Sequence, residues 1–368
     1  MKKNYVERFI GFTLAINPIF VFLGIIYLSA KRTKGIFCKL KSDKINVYLW
    51  LLLSISGLIS IIFSINKTVA ISSYLIPFAF IWLYILGRWT IQNPETFIRD
   101  MLRGVGFLSS ITIIAKILEL NIKIGSVILL SGFDRFGRGQ ILYIGDNGLG
   151  LLVQVGVVGA FCSAILNKTK KKYLIENIII FILSIMALLI TKSRGAMMGA
   201  LGAIFYFVFS YNMYMIFGAI SLTGVLAYFS KGRFMSIFDL SNHKTRLRIW
   251  RASLQIVKDN FWFGVGPGNF GQIIDKYKPI DANNHWTVAH SNYLNIFIGW
   301  GVVGGLLFWG WHLSVFIKTL IKGISPLQKV IIAILISFYL HIAVNDLFAA
   351  YSGFLLGLLE HPKFRENS

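Results

Sequence analysis

An arginine lies at the junction of two apolar runs, where charged residues are rare. The segment Thr191-Lys-Ser-Arg-Gly195 separates the runs with almost no loop, so Arg194 must lie at a membrane surface or inside the protein. Charged side chains at membrane depth are energetically expensive and are candidates for a functional role. A guanidinium offers a planar fork that matches phosphate oxygens, while the simpler interpretation is an interfacial anchor. Both interpretations are open for Arg194.

Further arginines lie on a predicted amphipathic helix over residues 244–258, with Arg246 near its start. Two stripes follow complementary steps of three and four residues: the apolar Leu247, Trp250, Leu254 and Val257, and the polar Lys244, Arg248, Arg251, Gln255 and Lys258. One interpretation is a helix on the membrane surface, with its basic side chains toward lipid phosphates. The other is that one or more of these arginines bind a pyrophosphate, through the same fork geometry.

Arg135 and Arg138 form another basic cluster, shortly before the apolar run that contains Asp146 and Asn147. The same two interpretations apply, an interfacial anchor or a ligand for an anion. Both arginines are therefore candidate substrate-binding residues.

His290 opens a later apolar run, in the segment Ala289-His-Ser-Asn-Tyr-Leu294. Histidine is the side chain whose ordinary pKa suits proton transfer near neutral pH. A histidine at the end of a membrane span is more often a hydrogen-bonded interface residue, and His243 and His285 are alternative candidates. The sequence alone leaves the role of His290 open.

The glycine-rich segment 261–270 lies between the amphipathic helix and His290. It lacks the Lys-Ser/Thr pair that follows the glycines of a nucleotide-binding P-loop. We therefore expect its glycines to form tight turns that return the chain to the membrane.

The composition predicts the elements that must position these residues. The chain has 368 residues, 56% hydrophobic and 14% charged, whereas soluble domains carry about 25% charged residues. Apolar stretches long enough to cross roughly 30 Å of hydrocarbon recur throughout. Nucleic-acid binding does not explain the net charge of +22, because the basic residues cluster between apolar runs. Two cysteines without metal-site or disulfide spacing predict neither a metal nor a disulfide, and no cofactor is expected.

We predict an all-α polytopic membrane protein with about 11–12 transmembrane helices. The expected spans are 9–30, 46–65, 69–87, 104–120, 141–166, 173–191, 195–210, 213–230, 291–317, 328–344 and 346–359. The N-terminal run resembles a signal peptide without a cleavage site and is interpreted as a retained membrane segment. A break near Asn17-Pro18 would make it two short helices, which brings the count to 12 and is the favoured alternative.

Basic connections fix the predicted orientation. Connections rich in Lys and Arg alternate with connections poor in them; the rich connections are 31–44, 88–103, 168–172 and 318–329. The connections rich in Lys and Arg are therefore predicted to be cytoplasmic. Residues 231–290 then lie outside, although they carry nine basic against four acidic residues. An anionic ligand explains this excess better than topology does. The predicted organisation is a transmembrane bundle over 1–230, an extracytoplasmic loop domain over 231–290 with the amphipathic helix, and C-terminal spans over 291–368.

The ordered set of motifs resembles the O-antigen ligase/polymerase superfamily of bacterial envelope glycosyltransferases. It comprises Ser193-Arg-Gly195, Arg246-x-x-x-Trp250, Gly264-Val-Gly-Pro-Gly-Asn-Phe270, His290-Ser-Asn-Tyr-Leu294 and Gly301-Val-Val-Gly304. The segment from Arg135 to Asn147 also resembles the family's first outer segment. The resemblance covers roughly residues 130–310, and the N-terminal third matches in hydropathy only.

The resemblance implies a metal-independent, inverting enzyme of GT-C type in the bacterial inner membrane, with its active site facing the periplasm or exterior. The donor would be a glycan on undecaprenyl pyrophosphate, and the other partners an acceptor glycan and membrane lipids. The family's essential arginines correspond to Arg194 and Arg246, which would hold the pyrophosphate. Its histidine corresponds to His290, which would be the general base.

Three functions are compatible with these features. A polysaccharide polymerase is favoured over a ligase that transfers the glycan to lipid A-core, because ligases often have His-Asn-Glu where this chain has His290-Ser-Asn292. A transporter of the same lipid would be favoured by an inverted repeat or by breaks in paired spans. The sequence has no evident repeat.

Overall fold

The computed structural model describes residues 5–14, 18–124, 127–131, 140–141, 146–167, 169–211, 224, 228, 244–282, 286–346 and 350–364. The helices are α1 Tyr5–Leu14, α2 Pro18–Ser42, α3 Lys44–Ile62, α4 Lys67–Trp89, α5 Pro94–Ile117, α6 Asp146–Leu166, α7 Lys171–Thr191, α8 Arg194–Tyr211, α9 Lys244–Asp259, α10 Phe270–Ile273, α11 Asn292–Ile321, α12 Pro326–Ile342 and α13 Ala350–Leu359. Single 3₁₀ turns cover Ile274–Lys276 and Pro362–Phe364. The chain is an all-α polytopic membrane protein.

Five of the described helices are long and apolar enough to cross a membrane, namely α3, α4, α6, α7 and α11, and the shorter α12 is also apolar. Each predicted span within the described residues coincides with a helix, and most bounds agree within a few residues. The expected span 213–230 lies almost entirely outside the described residues. The N-terminal run contains two helices, α1 and α2, and Pro18 is the first residue of α2, a position where its missing N–H is not needed.

A small antiparallel sheet follows α5 and was not predicted. Its strands are β1 Asn121–Ile124, β2 Val127–Ser131 and β3 Gln140–Ile141, in the order β1-β2-β3. Asn121 pairs with Ser131 and Leu130 pairs with Ile141. The strands are short, and four- to five-residue apolar runs carry too little periodicity to separate a strand from a helix end.

Helices α6, α8 and α12 pack in the centre of the bundle, and glycine allows α8 to approach α12 closely. A Cβ on Gly199 would lie 2.4 Å from the backbone oxygen of Ser337. Small residues of this kind permit close packing of membrane helices without a hydrophobic driving force. The first turn of α8 is thereby held against the end of α12.

The described part of residues 231–290 has a small apolar core of its own. On α9 the buried residues are Ile249, Ala252, Ser253 and Ile256, which face Val265, Phe270, Ile273, Trp286 and Ala289. The predicted apolar stripe is therefore partly wrong, since Leu247 and Leu254 are 36% and 51% exposed. The predicted apolar stripe and the buried stripe both have helical spacing. Packing against residues 265–289 determines that the stripe containing Ile249 and Ile256 is the buried one. The predicted polar stripe is exposed, as expected.

The glycine-rich segment 261–270 is joined to α11 by backbone hydrogen bonds. Gly301 has a left-handed backbone (φ 65°) that breaks α11. The break leaves Val302 N–H to donate to the oxygen of Phe261 at 2.7 Å, and the oxygen of Ile298 to accept from Val265 N–H at 2.9 Å. Gly264, Gly266 and Gly268 all have positive φ, as the prediction of tight turns requires. This segment joins the small apolar core around α9 to α11.

Candidate active site

Arg194 is placed by a very short turn between α7 and α8. Lys192 has a left-handed backbone (φ 52°) that ends α7. Ser193 then donates its hydroxyl to Asn147 Oδ1 at 2.9 Å and accepts from Ala196 N–H at 3.4 Å. Arg194 is the first residue of α8, so the positive end of the helix dipole adds to its charge.

Gly195 packs this turn against the end of α12. A Cβ at Gly195 would lie 2.5 Å from Asn345 Nδ2 and 2.8 Å from His341 Cδ2. His341 is fully buried, and its Nδ1 lies 3.1 Å from Gln154 Oε1. The Ser-Arg-Gly motif therefore requires glycine at its third position, because no side chain fits between the two helices.

Arg246 lies in the first turn of α9 and is partly buried near Arg194. Burial and the positive charge of Arg194 lower the pKa of the Arg246 guanidinium, whereas the charge of Asp346 raises it. Two neighbouring guanidiniums in a partly buried site are a candidate anion-binding position, since fixed cations act more strongly where water is excluded.

His290 lies near Arg246, in the connection that leads into α11. Burial, and secondly the charge of Arg246, lower the pKa of His290 from its ordinary value of 6.5. The imidazole is therefore neutral at physiological pH, which is the form that can accept a proton. Trp250 of α9 donates its indole N–H to the oxygen of Ala289 at 3.1 Å, which fixes this connection against α9.

The backbone at His290 is unusual, since its φ of 50° is left-handed. Asp346 stabilises this turn: its carboxylate accepts hydrogen bonds from the backbone N–H groups of His290 and Ser291, the latter at 3.0 Å, and from Asn295 Nδ2 at 2.6 Å. Ser291 in turn caps α11 by accepting from Leu294 N–H. The backbone turn at His290 is thus held by the carboxylate of Asp346.

Asp346 was not among the residues predicted from the sequence. It lies in the connection between α12 and α13, where burial raises the pKa of its carboxyl to about 6 against the opposing effect of its hydrogen bonds and of Arg246. The sequence contains an indication of its importance, because Asp346 is the only acidic residue between 326 and 359. A lone charge in an apolar stretch is a functional candidate.

The other predicted arginines are distributed differently. Arg248 lies on the exposed face of α9 and pairs with Asp281 at 2.9 Å, and Arg251 is also exposed. Arg135 and Arg138 lie outside the described residues. Within the described part of the chain, no group of three or more His, Cys, Asp or Glu side chains is placed to hold a metal ion.

The residues brought together here lie on segments that are distant in the chain, with Arg194, Arg246 and His290 all between positions 179 and 309. That stretch matches the family model described as O-antigen ligase. Residues 179–309 are similar to the O-antigen ligase family. The predicted resemblance to the O-antigen ligase/polymerase superfamily is therefore confirmed. No curated protein matches the chain.

The O-antigen ligase region begins within α7 and ends within α11. It contains both arginines, the glycine-rich segment and His290, whereas Asp346 lies beyond it. The carboxylate that holds the His290 turn is thus supplied by a part of the chain outside the matched region.

Proposed function

We propose that this protein is an integral membrane glycosyltransferase that uses a glycan on undecaprenyl pyrophosphate as donor and joins polysaccharide repeat units on the outer face of the bacterial cytoplasmic membrane. The observation that carries the proposal is that Arg246 lies close to both Arg194 and a neutral His290. The family match, the apolar helices and the excess of basic residues in 231–290 support it.

In the proposed reaction, Arg194 and Arg246 bind the pyrophosphate of the donor. His290 takes the proton from an acceptor hydroxyl as its oxygen forms a bond to the anomeric carbon. The bond from that carbon to the pyrophosphate breaks, undecaprenyl pyrophosphate leaves with the electron pair, and the anomeric configuration inverts. The two guanidiniums stabilise the charge that develops on the leaving group, so the step needs no metal. Asp346 is a positioning residue, because it bonds to the backbone of His290 and not to the reacting atoms.

The acceptor distinguishes a polymerase from a ligase. The pair Ser291-Asn292 after the histidine favours the polymerase, in which another lipid-linked glycan is the acceptor. The description of the matched family, O-antigen ligase, favours transfer to lipid A-core as the alternative. A lipid transporter receives less support. At the break in α11 near Gly301, the backbone oxygens of Phe261 and Trp262 accept hydrogen bonds from the helix, so the break serves to anchor the extramembrane segment.

We propose the predicted orientation and organisation together with this function. Residues 231–290 form an extracytoplasmic domain between the bundle of residues 1–230 and the C-terminal spans of 291–368. Exposed Arg248 and Arg251, with Arg135 and Arg138, would attract the anionic head group of the donor and surrounding lipid phosphates.

The test is reconstitution of the purified full-length chain in detergent with EDTA. The substrate is lipid-linked glycan extracted from source cells that lack this protein. We expect longer lipid-linked glycans and release of undecaprenyl pyrophosphate. Product formed only when lipid A-core is added would identify a ligase. Absence of any new glycosidic product with either acceptor would refute the proposed activity.

A further inference from the structure

A cavity of about 220 Å³ lies between α4, the glycine-rich segment and the start of α11. Its walls include Ser73 and Pro77 of α4, Gly268 and Asn269 of the glycine-rich segment, Thr287 and Val288 just before His290, and Asn292, Asn295 and Trp300 of α11. The residues on both sides of His290 in the chain thus line one cavity, which none of the proposed roles above uses.

The polar groups of this cavity are neutral. Ser73 and Thr287 contribute hydroxyls, and Asn269, Asn292 and Asn295 contribute amides, whereas no charged side chain lines it. Hydroxyl and amide groups both donate and accept hydrogen bonds, as the hydroxyl groups of a sugar do. Arg246, which lies near His290, and Arg194 are charged and suit a phosphate. The cavity and the two arginines therefore differ in the chemistry that they recognise.

Pro77 removes one helical hydrogen bond from the wall that α4 contributes. A proline inside a helix removes the hydrogen bond to the carbonyl four residues earlier, and that residue is Ser73. Pro77 is inside α4 and both residues line the cavity. An acceptor without an intrahelical donor is costly to bury in an apolar bundle unless a partner of another kind occupies the space beside it.

The cavity is also linked to His290 by hydrogen bonds. Asn295, which lines it, donates to Asp346 at 2.6 Å, and Asp346 accepts from the backbone of His290. A ligand in the cavity therefore lies next to the turn that directs the proposed base. The volume is below the roughly 300–1,000 Å³ of pockets that enclose drug-sized ligands, so it suits one sugar ring rather than an oligosaccharide or a lipid chain.

We infer that this cavity is the acceptor subsite, which binds the sugar residue whose hydroxyl is glycosylated. The inference rests on the proposed function and assigns a location and a ligand class to its second substrate. The uncharged walls between α4 and α11 orient a neutral sugar near His290, while the arginines hold the pyrophosphate.

The test uses Val288→Trp in the full-length protein, because Val288 is at the rim, 38% exposed, and a larger side chain there fills the cavity without a buried clash. Ile280→Trp is the matched control, since Ile280 is fully exposed and does not line the cavity. The acceptor probe is glycan freed from its lipid by mild acid, which lacks the pyrophosphate. Undecaprenyl pyrophosphate alone probes the donor side, through the rise in Tm that it causes.

We expect Val288→Trp to raise the KM for the freed glycan at least about tenfold, with the Tm shift from undecaprenyl pyrophosphate unchanged and Ile280→Trp like wild type. Thr287→Val, which removes one hydroxyl at nearly constant volume, should raise that KM about two- to tenfold. A wild-type KM in both variants, or loss of the undecaprenyl pyrophosphate shift in Val288→Trp, would overturn the subsite. Failure of the proposed function is distinct, because wild-type protein would then form no product.

Discussion

The carboxylate of Asp346 accepts hydrogen bonds from the backbone N–H groups of His290 and Ser291. The left-handed backbone of His290 is unfavourable for a residue with a side chain, so it needs stabilising contacts from elsewhere in the fold. Asp346 provides them from the connection between α12 and α13. The proposed base is thus held through its backbone.

Replacement of Arg194 or Arg246 by lysine tests the anion-binding pair. Lysine keeps the charge but lacks the planar fork, so we expect each variant to lose at least roughly tenfold in kcat/KM for the lipid-linked donor, about 1.4 kcal/mol. Arg251→Lys, on the exposed face of α9, should lose much less. Steady-state transfer by the purified variants measures this. Equal tolerance at all three positions would mean that the basic residues only anchor the protein to the membrane.

Removal of the His290 imidazole should abolish transfer while the donor still binds. Asparagine tolerates the left-handed backbone better than alanine, so His290→Asn separates loss of the base from loss of the turn. We expect turnover to fall by roughly 10²–10⁴-fold, with the Tm shift from undecaprenyl pyrophosphate retained. His285→Ala serves as the control histidine. Near-normal turnover of His290→Asn, or inhibition of wild type by EDTA, would contradict a metal-free histidine base.

The pH profile should report Asp346 together with His290. The pKa of Asp346 is raised to about 6, so its carboxylate loses its charge and part of its hydrogen-bonding capacity as pH falls through 6. The pKa of His290 is lowered from 6.5. The imidazole is neutral above this lowered pKa, and below it the ring is protonated and cannot act as a base. Both effects predict that activity declines as pH falls through about 6.

Asp346→Asn separates these two contributions. The amide keeps one acceptor oxygen but turns an NH₂ toward a backbone N–H, so we expect about a tenfold loss of kcat at pH 7.5. The midpoint of the acidic limb should also change, because His290 alone then titrates in it. Turnover measured from pH 4.5 to 8 decides this. An unchanged rate and an unchanged acidic limb would show that Asp346 does not position the base.

Gly195→Ala should impair transfer through the position of Arg194. The new Cβ would lie 2.5 Å from Asn345 Nδ2, so the first turn of α8 must shift, at a cost of about 1–3 kcal/mol in stability. Gly202→Ala is the control on the same helix, because its Cβ would meet only the flexible end of Leu340. We expect a loss of donor affinity in the first variant only, measured by the Tm shift with undecaprenyl pyrophosphate. Equal donor binding in both would contradict this role of Gly195.

A cysteine at Ile280 tests the orientation. Cys162 is buried and Cys38 is exposed, so a background without Cys38 and Cys162 leaves Ile280→Cys as the only thiol. If residues 231–290 face outward, a membrane-impermeant maleimide should label it in cells with a permeabilised outer envelope. Labelling that requires lysis of the cytoplasmic membrane would place the arginines and His290 on the wrong side for a lipid-linked donor delivered outside.

The spans and three of the candidate site residues could be predicted from the sequence because they depend on local patterns. A membrane helix needs an uninterrupted apolar run, and such a run is visible without any knowledge of its neighbours. Arg194, Arg246 and His290 each occur in a short ordered motif. The glycine turns of residues 261–270 were predictable for the same reason, since a backbone with positive φ favours glycine locally.

Only the tertiary structure determined the rest. The buried stripe of α9 could not be chosen from the sequence, because Leu254 and Ile256 lie on stripes with the same spacing and only the packing partner selects between them. Nothing in the segment around Asp346 predicts its role. That role depends on its hydrogen bond to the backbone of His290, which is distant in the chain. The cavity between α4 and α11 likewise exists only where separate elements meet. Local interactions set the helices of this protein, and contacts between distant residues set its site.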